Sequence, residues 1–250
     1  MPKISSVMGS ASWASEVFSS APARRLKGHS RRTQAHRFYS TKLQQIMEVQ
    51  GRNECCTAFA IEYLIGLGLL RRAKPQPFKT DRTAFGSEIC PDFLVESTDD
   101  VRQLYVIETK SNRFLTRKVN LQLDEYRNRF KEFGIEYLVW TDNCPLNHAV
   151  RHHLQLMRVS SNRAVAVSQR ESLRKWLASA PQTTLDHFYA AGYDLDCLYA
   201  SAWDGEVFIP ITLPLSPTTP ISLSPLNNFK ALFLSCENSS DDWWKSLQTV

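Results

Sequence analysis

The sequence predicts an α/β protein: a mixed sheet flanked by helices, followed by a small α-rich, winged-helix-like domain at the C-terminal end. Three observations carry that prediction. Two apolar runs, 92–97 and 103–109, lie close enough in sequence to form a hairpin. A segment of helical period and another apolar run at 135–142 follow, which makes a βαβ crossover. Beyond about residue 165 the chain changes to short helical stretches and a proline-rich tail.

Residues 1–35 are rich in Ser, Ala and Arg, hold Gly9, Gly28 and two prolines, and show no sustained period. They read as a basic, flexible arm. The texture changes at His36. Asn53 is suited to cap a helix, and ECCTAFAIEYLIGLGLL then predicts a mostly apolar helix from about Glu54 to Leu70. PQPFKT (75–80) predicts a short extended segment. DFLVES and QLYVIET, joined through Thr98, Asp99 and Asp100, form an antiparallel pair. In NLQLDEYRNRFKEFG the apolar positions Leu121, Leu123, Tyr126, Phe130 and Phe133 fit a helix stopped by Gly134. IEYLVWTD (135–142) is then a buried strand, parallel to 103–109, and the order becomes αβββαβ. Pro145 starts a further helix, running through about Arg158.

RESLRKWLAS, TTLDHFYAAGY and DLDCLYASAW predict three short helices, and Asp204-Gly205 turns the chain into EVFIPI, a strand or hairpin. Three helices with a strand or hairpin suggest the winged-helix-like module. PITLPLSPTTPISLSP has five prolines in sixteen residues and cannot be a central strand. The expected division is an arm over 1–35, an α/β domain over 36–165 and the partner-binding domain over 166–250.

An apolar fraction of 43% supplies a sizeable core. No run of eighteen apolar residues suggests a membrane span, and no apolar leader precedes the arm, so the expected location is cytoplasmic. The six cysteines show no CxxC spacing, which predicts reduced thiols. Charge is uneven. Residues 1–53 carry nine Lys/Arg against two Glu, and the rest is slightly acidic. A basic arm ahead of a near-neutral body points to nucleic acid.

Chemistry concentrates at CPDFLVESTDDVRQLYVIETK (90–110). Asp92 opens one hairpin strand, and Glu108 and Lys110 close its partner. Period-2 alternation puts Glu108 and Lys110 on one face and Thr109 on the other. Adjacent carboxylates repel unless a cation separates them, and Mg²⁺ favours such oxygen ligands. An ammonium beside them can position water and stabilise charge on a phosphate. The arrangement is the PD-(D/E)xK nuclease pattern, with PD at 91–92 and ExK at 108–110.

HRFYSTK (36–42), the acidic residue at the helix head, LLRRAKPQPF (69–78), CPDFLVE, YVIETKS, IEYLVWTD and the NHAVRHHLQLMR helix together resemble the TnsA family over about residues 36–160. LYASAWDGEVFIPITLPLSPTTPI resembles that family's C-terminal region more weakly. The family comprises endonuclease subunits of heteromeric cut-and-paste DNA transposases. The resemblance implies a restriction-endonuclease-like fold and a nucleoid-associated protein that cleaves the 5′ ends of a transposon. It implies two partners besides DNA: a DDE-type transposase subunit that cuts and joins the 3′ ends, and an AAA+ ATPase regulator docking on the C-terminal region. By motif the catalytic group becomes Glu54, Asp92, Glu108 and Lys110. Mg²⁺, for which Mn²⁺ can substitute, is held by Asp92, Glu108 and the Thr109 carbonyl, with Glu54 on its waters or on a second ion. Some members have Gln where this chain has Glu108. The family often places Ser and Leu before the helix Glu, where this chain has Arg52 and Asn53, so Glu62 competes with Glu54. The helix dipole favours a carboxylate at the N-terminal end, which selects Glu54 and leaves Glu62 as an exposed helix position.

Arg113, Arg117 and Lys118 follow the active-site strand and are candidate phosphate contacts, with Gln122 on the crossover helix. His148, His152 and His153 read as a solvated helix face, and Trp243–Trp244 as a partner anchor or a packed tail. Two other function classes fit the same residues: a stand-alone restriction or repair nuclease, and a non-catalytic DNA-binding assembly module.

Overall fold

The computed structural model describes residues 8–24, 34–99, 101–149, 153–163, 165–180, 182–226 and 228–235. Trp243 and Trp244 lie outside them. The chain opens with α1 (Ala11–Ser19), a two-stranded ribbon of β1 (Ala35–Ser40) and β2 (Gln45–Gln50), and α2 (Gly51–Gly66). Then come β3 (Leu70–Pro75), α3 (Arg82–Phe85), β4 (Phe93–Ser97), β5 (Leu104–Thr109), α4 (Arg117–Glu132) and β6 (Ile135–Trp140). The C-terminal part holds α5 (Pro145–Ala149), α6 (Gln155–Ser161), α7 (Val167–Ser179), β7 (Thr183–Thr184), α8 (Leu185–Ala190), α9 (Leu195–Trp203), β8 (Pro220–Ile221) and α10 (Phe229–Ser235).

The central sheet runs β3-β4-β5-β6. β4 and β5 are antiparallel, with Phe93 opposite Ile107, and β5 and β6 are parallel, with Glu108 opposite Val139. The predicted hairpin and crossover are thus present. Side chains alternate strictly between two cores. Phe93, Val95, Tyr105, Ile107, Leu138 and Trp140 face α2 and the C-terminal helices. Leu94, Leu104, Val106, Tyr137 and Val139 face α1 and α4. Such double-sided burial is why these strands read as continuous apolar runs.

Several expectations are corrected. Part of the stretch read as a flexible arm is helix α1, which buries Trp13, Ala14 and Val17. Trp13 meets the Phe78 ring edge-on at 5.2 Å between centroids. Helix α2 begins at Gly51, not at an Asn53 cap, because β2 feeds directly into it through Gly51 at φ +85°. The strand expected at 75–80 is β3, five residues earlier, since Pro75, Gln76 at φ +39° and Pro77 end its ladder. The helix expected from Pro145 to Arg158 is seen as α5 and α6, with residues 150–152 outside the described ones. EVFIPI forms no strand. Phe208 makes a single bridge to Ser222, and the only other pairing there among the described residues is the two-residue β7–β8 pair. Cys144 is disulfide-bonded, whereas Cys55, Cys56, Cys90 and Cys197 are free thiols.

The three helices predicted after residue 165 are present, and among the described residues their apolar side chains share one cluster with α2 and the sheet. Leu173, Leu177, Phe188, Leu198 and Trp203 belong to the same apolar cluster as Tyr63, Phe93 and Ile107. Tyr63 on α2 stacks obliquely on Trp203 at 5.7 Å and edge-on against Phe229 at 5.8 Å. Asp204, at the end of α9, takes ion pairs from Lys42 in the β1–β2 turn and from Arg170 on α7. No helix among the described residues is long and apolar enough to cross a membrane.

Candidate active site

The predicted carboxylates meet where β4 begins and β5 ends. Asp92 is 6% exposed, and its Oδ2 accepts hydrogen bonds from the Thr109 main-chain N–H and hydroxyl, both at 2.8 Å. Its carbonyl accepts the Gln76 N–H at 2.8 Å. Glu108 pairs with the Lys110 ammonium, and Lys110 is pinned through its N–H to the Trp140 carbonyl at 2.9 Å. The first turn of α2 brings Glu54 from the other side of the sheet. Its Oε2 accepts the Gln50 N–H at 2.8 Å and lies 3.4 Å from Gln76 Nε2, while Oε1 lies 4.0 Å from the Arg24 guanidinium.

These carboxylates are uncomfortable as a set. Burial, then the Asp92 charge, pushes Glu54 up to about 8, against the Gln50 N–H and Arg24, which pull it down. The same two causes raise Glu108 to about 7, and Lys110 offsets them only in part. Burial works against the Lys110 charge, but Glu108, Asp92 and Glu54 outweigh it and leave the ammonium's pKa above its usual value. A site that holds charges at such a cost is where added positive charge is most favourable.

Among the described residues no three His, Cys, Asp or Glu side chains stand as a ready metal cage. Glu108 is turned onto Lys110, Asp92 onto Thr109 and Glu54 onto Gln50. The donor set nevertheless fits a hard divalent ion: only oxygens, with two carboxylates raised by burial and by the neighbouring Asp92 charge.

The basic candidates stand apart from this cluster. Arg113 lies over the Phe114 ring at 4.6 Å, and Arg113, Arg117 and Lys118 are all exposed. Gln122 is exposed on α4 and donates to the Tyr126 hydroxyl at 2.5 Å. Glu62 is not the exposed position expected. It is 1% exposed and holds Arg158 at 2.7 Å and the Ser40 hydroxyl at 2.8 Å. Arg158 in turn covers the Phe38 and Phe59 rings, so Glu62 is occupied with packing. His153, read as solvated, is buried with Nε2 on the Leu213 carbonyl at 2.5 Å.

Four contributors escape a sequence reading. Asp142, just after β6, accepts from the Asn53 amide at 2.6 Å, Ser111 Oγ at 2.7 Å and the Asn112 N–H at 2.9 Å. With Asn53 it ties the loop after Lys110 to α2. Gln76 is fully buried beside Glu54, and Arg24 reaches in from the N-terminal segment. Gln76 stands between two prolines, which marks a backbone change but not a site; Arg24 has no signal in a run of basic residues.

No family model matches the chain, and no curated protein matches it in sequence. What fold and geometry define is a mixed α/β protein with a partly buried group of three mutually interacting carboxylates and one ammonium at the end of its central sheet.

Proposed function

We propose that the chain is a metal-dependent DNA endonuclease of the PD-(D/E)xK type, acting as the TnsA-like subunit of a cut-and-paste transposase. The observation that carries this reading is the convergence of Glu54, Asp92 and Glu108 with Lys110. Glu54 comes from a different element than the hairpin, and its carboxylate feels the charges of both Asp92 and Glu108. A solvent-facing ion pair at a strand end would explain Glu108 and Lys110, but not a buried Asp92 with the Glu54 and Glu108 side chains only 12% and 16% exposed.

In this reading Asp92 and Glu108, with the Thr109 carbonyl, would hold Mg²⁺, and Glu54 would take its waters or a second ion. The ion supplies Lewis-acid stabilisation of a phosphate and lowers the pKa of bound water. Asp92 is pre-oriented by Thr109, so its carboxylate needs no rearrangement to present an oxygen. Lys110, once freed from Glu108, positions the attacking water in line with the scissile P–O bond. Hydrolysis leaves a 5′-phosphate and a 3′-hydroxyl.

The C-terminal helices, in a winged-helix-like role, dock the ATPase regulator rather than DNA. Residues 170–250 carry five Lys/Arg against nine Asp/Glu, which disfavours a grip on phosphates. A DDE-type transposase completes the complex at the nucleoid. The test is cleavage of end-labelled transposon DNA with Mg²⁺, with and without a DDE-type transposase and an AAA+ ATPase regulator. Cleavage at the 5′ ends only in the full mixture supports the reading. Cleavage by the chain alone points to a stand-alone nuclease, and no cleavage in either mixture rejects an enzyme.

A further inference from the structure

The N-terminal segment is seated on the site with more care than a loose arm requires. Residues 8–24 cross the far core, where Trp13 and Val17 are buried. A side chain at Gly9 would stand 2.0 Å from the Phe133 carbonyl oxygen, so the backbones touch there. At the other end of α1, the buried Lys74 ammonium donates to the Ser20 carbonyl, satisfying a helix C-terminus with a cation. The chain is then laddered to the catalytic strand. The Ala23 N–H donates to the Gln76 carbonyl at 2.8 Å, and the Gln76 N–H donates to the Asp92 carbonyl at 2.8 Å. Gln76 holds a left-handed backbone, φ +39°, to serve both neighbours, a strain typical of functional positions.

The residue that follows this anchor is Arg24. Its Nη2 stands 4.0 Å from Glu54 Oε1, too far for a hydrogen bond, and its charge also acts on Glu108 and Cys90. Nε is buried without a hydrogen-bond partner among the described residues, although 39% of the side chain is exposed. The Gln76 Oε1 is likewise buried without a hydrogen-bond partner among the described residues. Arg24 is thus a guanidinium beside the Glu54 carboxylate whose charge also reaches Glu108, without a hydrogen bond to either. Its planar fork matches the oxygens of a phosphate better than a lysine does.

We infer that Arg24 is a substrate-binding residue of this site, a guanidinium that grips the scissile phosphate and is delivered by residues 8–24 acting as a docked strap. The inference rests on the nuclease reading above. The bland alternative is that Arg24 merely offsets the carboxylate charge. That role predicts a loss of stability on neutralising it, without a specific change in DNA affinity.

The experiment measures binding of the full chain to a short mixed-sequence DNA duplex in Ca²⁺, which fills hard-oxygen sites without supporting hydrolysis. Affinity is followed against salt for wild type, Arg24→Gln and Arg24→Lys, with melting temperatures alongside. The expected result is Ca²⁺-enhanced binding by wild type. Arg24→Gln then binds about tenfold more weakly with a salt slope lower by about 1, and Arg24→Lys recovers the slope but only part of the affinity. Melting temperatures stay within about 2 °C, because a half-exposed pair at 4.0 Å contributes little. Wild-type binding with an unchanged Arg24→Gln overturns the inference and leaves the nuclease reading standing. A loss of affinity that tracks a large fall in melting temperature also overturns it, in favour of the charge-offset role. Wild-type binding indifferent to Ca²⁺ overturns the nuclease reading itself, and the inference with it.

Discussion

Thr109 holds Asp92 with two hydrogen bonds at once, from its main-chain N–H and its hydroxyl to the same carboxylate oxygen, each 2.8 Å long. The contact bridges two strands and fixes the carboxylate before anything binds. Thr109→Val keeps the shape and the N–H but removes the hydroxyl. We expect a stability loss of about 1 kcal/mol by urea denaturation, together with weaker Mn²⁺ binding by titration calorimetry. Thr109→Ser should restore both, and equal Mn²⁺ affinity in all three proteins would show that Asp92 needs no such support.

Asp92→Asn and Lys110→Met are each expected to lower Mg²⁺-dependent cleavage by at least about 100-fold, the scale on which transition-state electrostatics and proton transfer act. Both keep the side-chain volume, which matters because Asp92 is buried rather than lying open at a strand end. Wild-type rates from either variant would remove the site assignment.

Glu54 and Glu62 should separate by kind of damage. Glu54→Gln is expected to keep its fold and lose metal-dependent cutting. Glu62→Ala leaves Arg158 without its 2.7 Å partner in a nearly closed environment, and about 3 kcal/mol of stability should go with it. A silent Glu54→Gln beside a well-folded, inactive Glu62 variant would reverse the choice between them.

The raised carboxylates make stability depend on pH with a definite sign. Glu54 and Glu108 rise from 4.5 to about 8 and about 7 on folding, so the folded state binds their protons more tightly than the unfolded chain does. Their contribution is complete below 4.5 and is lost as pH climbs through those higher values. In chelator, the melting temperature should therefore fall from about pH 5 to about pH 8, by about 4 °C or more. Glu54→Gln should flatten the fall. A wild-type curve with no slope across that window would mean that the cluster is more hydrated than its burial indicates.

The parts legible in the sequence were those written in apolar period. Phe93–Val95 and Leu104–Ile107 announce buried strands because both faces of the sheet are covered, and Leu123, Tyr126 and Phe130 announce α4. Asp92, Glu108 and Lys110 follow from their places at the ends of those strands. The β1–β2 ribbon was not legible, because Arg37 and Tyr39 are exposed and His36 and Phe38 only partly covered, which leaves no clean apolar alternation. Arg24 and Gln76 were hidden for a different reason. Their roles come from main-chain bonds to distant residues, Ala23 to Gln76 and Gln76 to Asp92, and such bonds leave no mark on side-chain pattern. Glu62 misled because a carboxylate two turns into a helix looks solvated until Arg158, nearly a hundred residues later, is seen to close over it.

Helix α2 is a party wall. Glu54 stands in its first turn, and Tyr63, nine residues or about 14 Å further along, is wedged between Trp203 and Phe229. Neither half of the molecule can be lifted away without stripping that wall bare. The two halves are therefore not interchangeable cassettes: a C-terminal region grafted from another chain would have to reproduce the contour of Tyr63 before the carboxylate end of the helix could stand where it does.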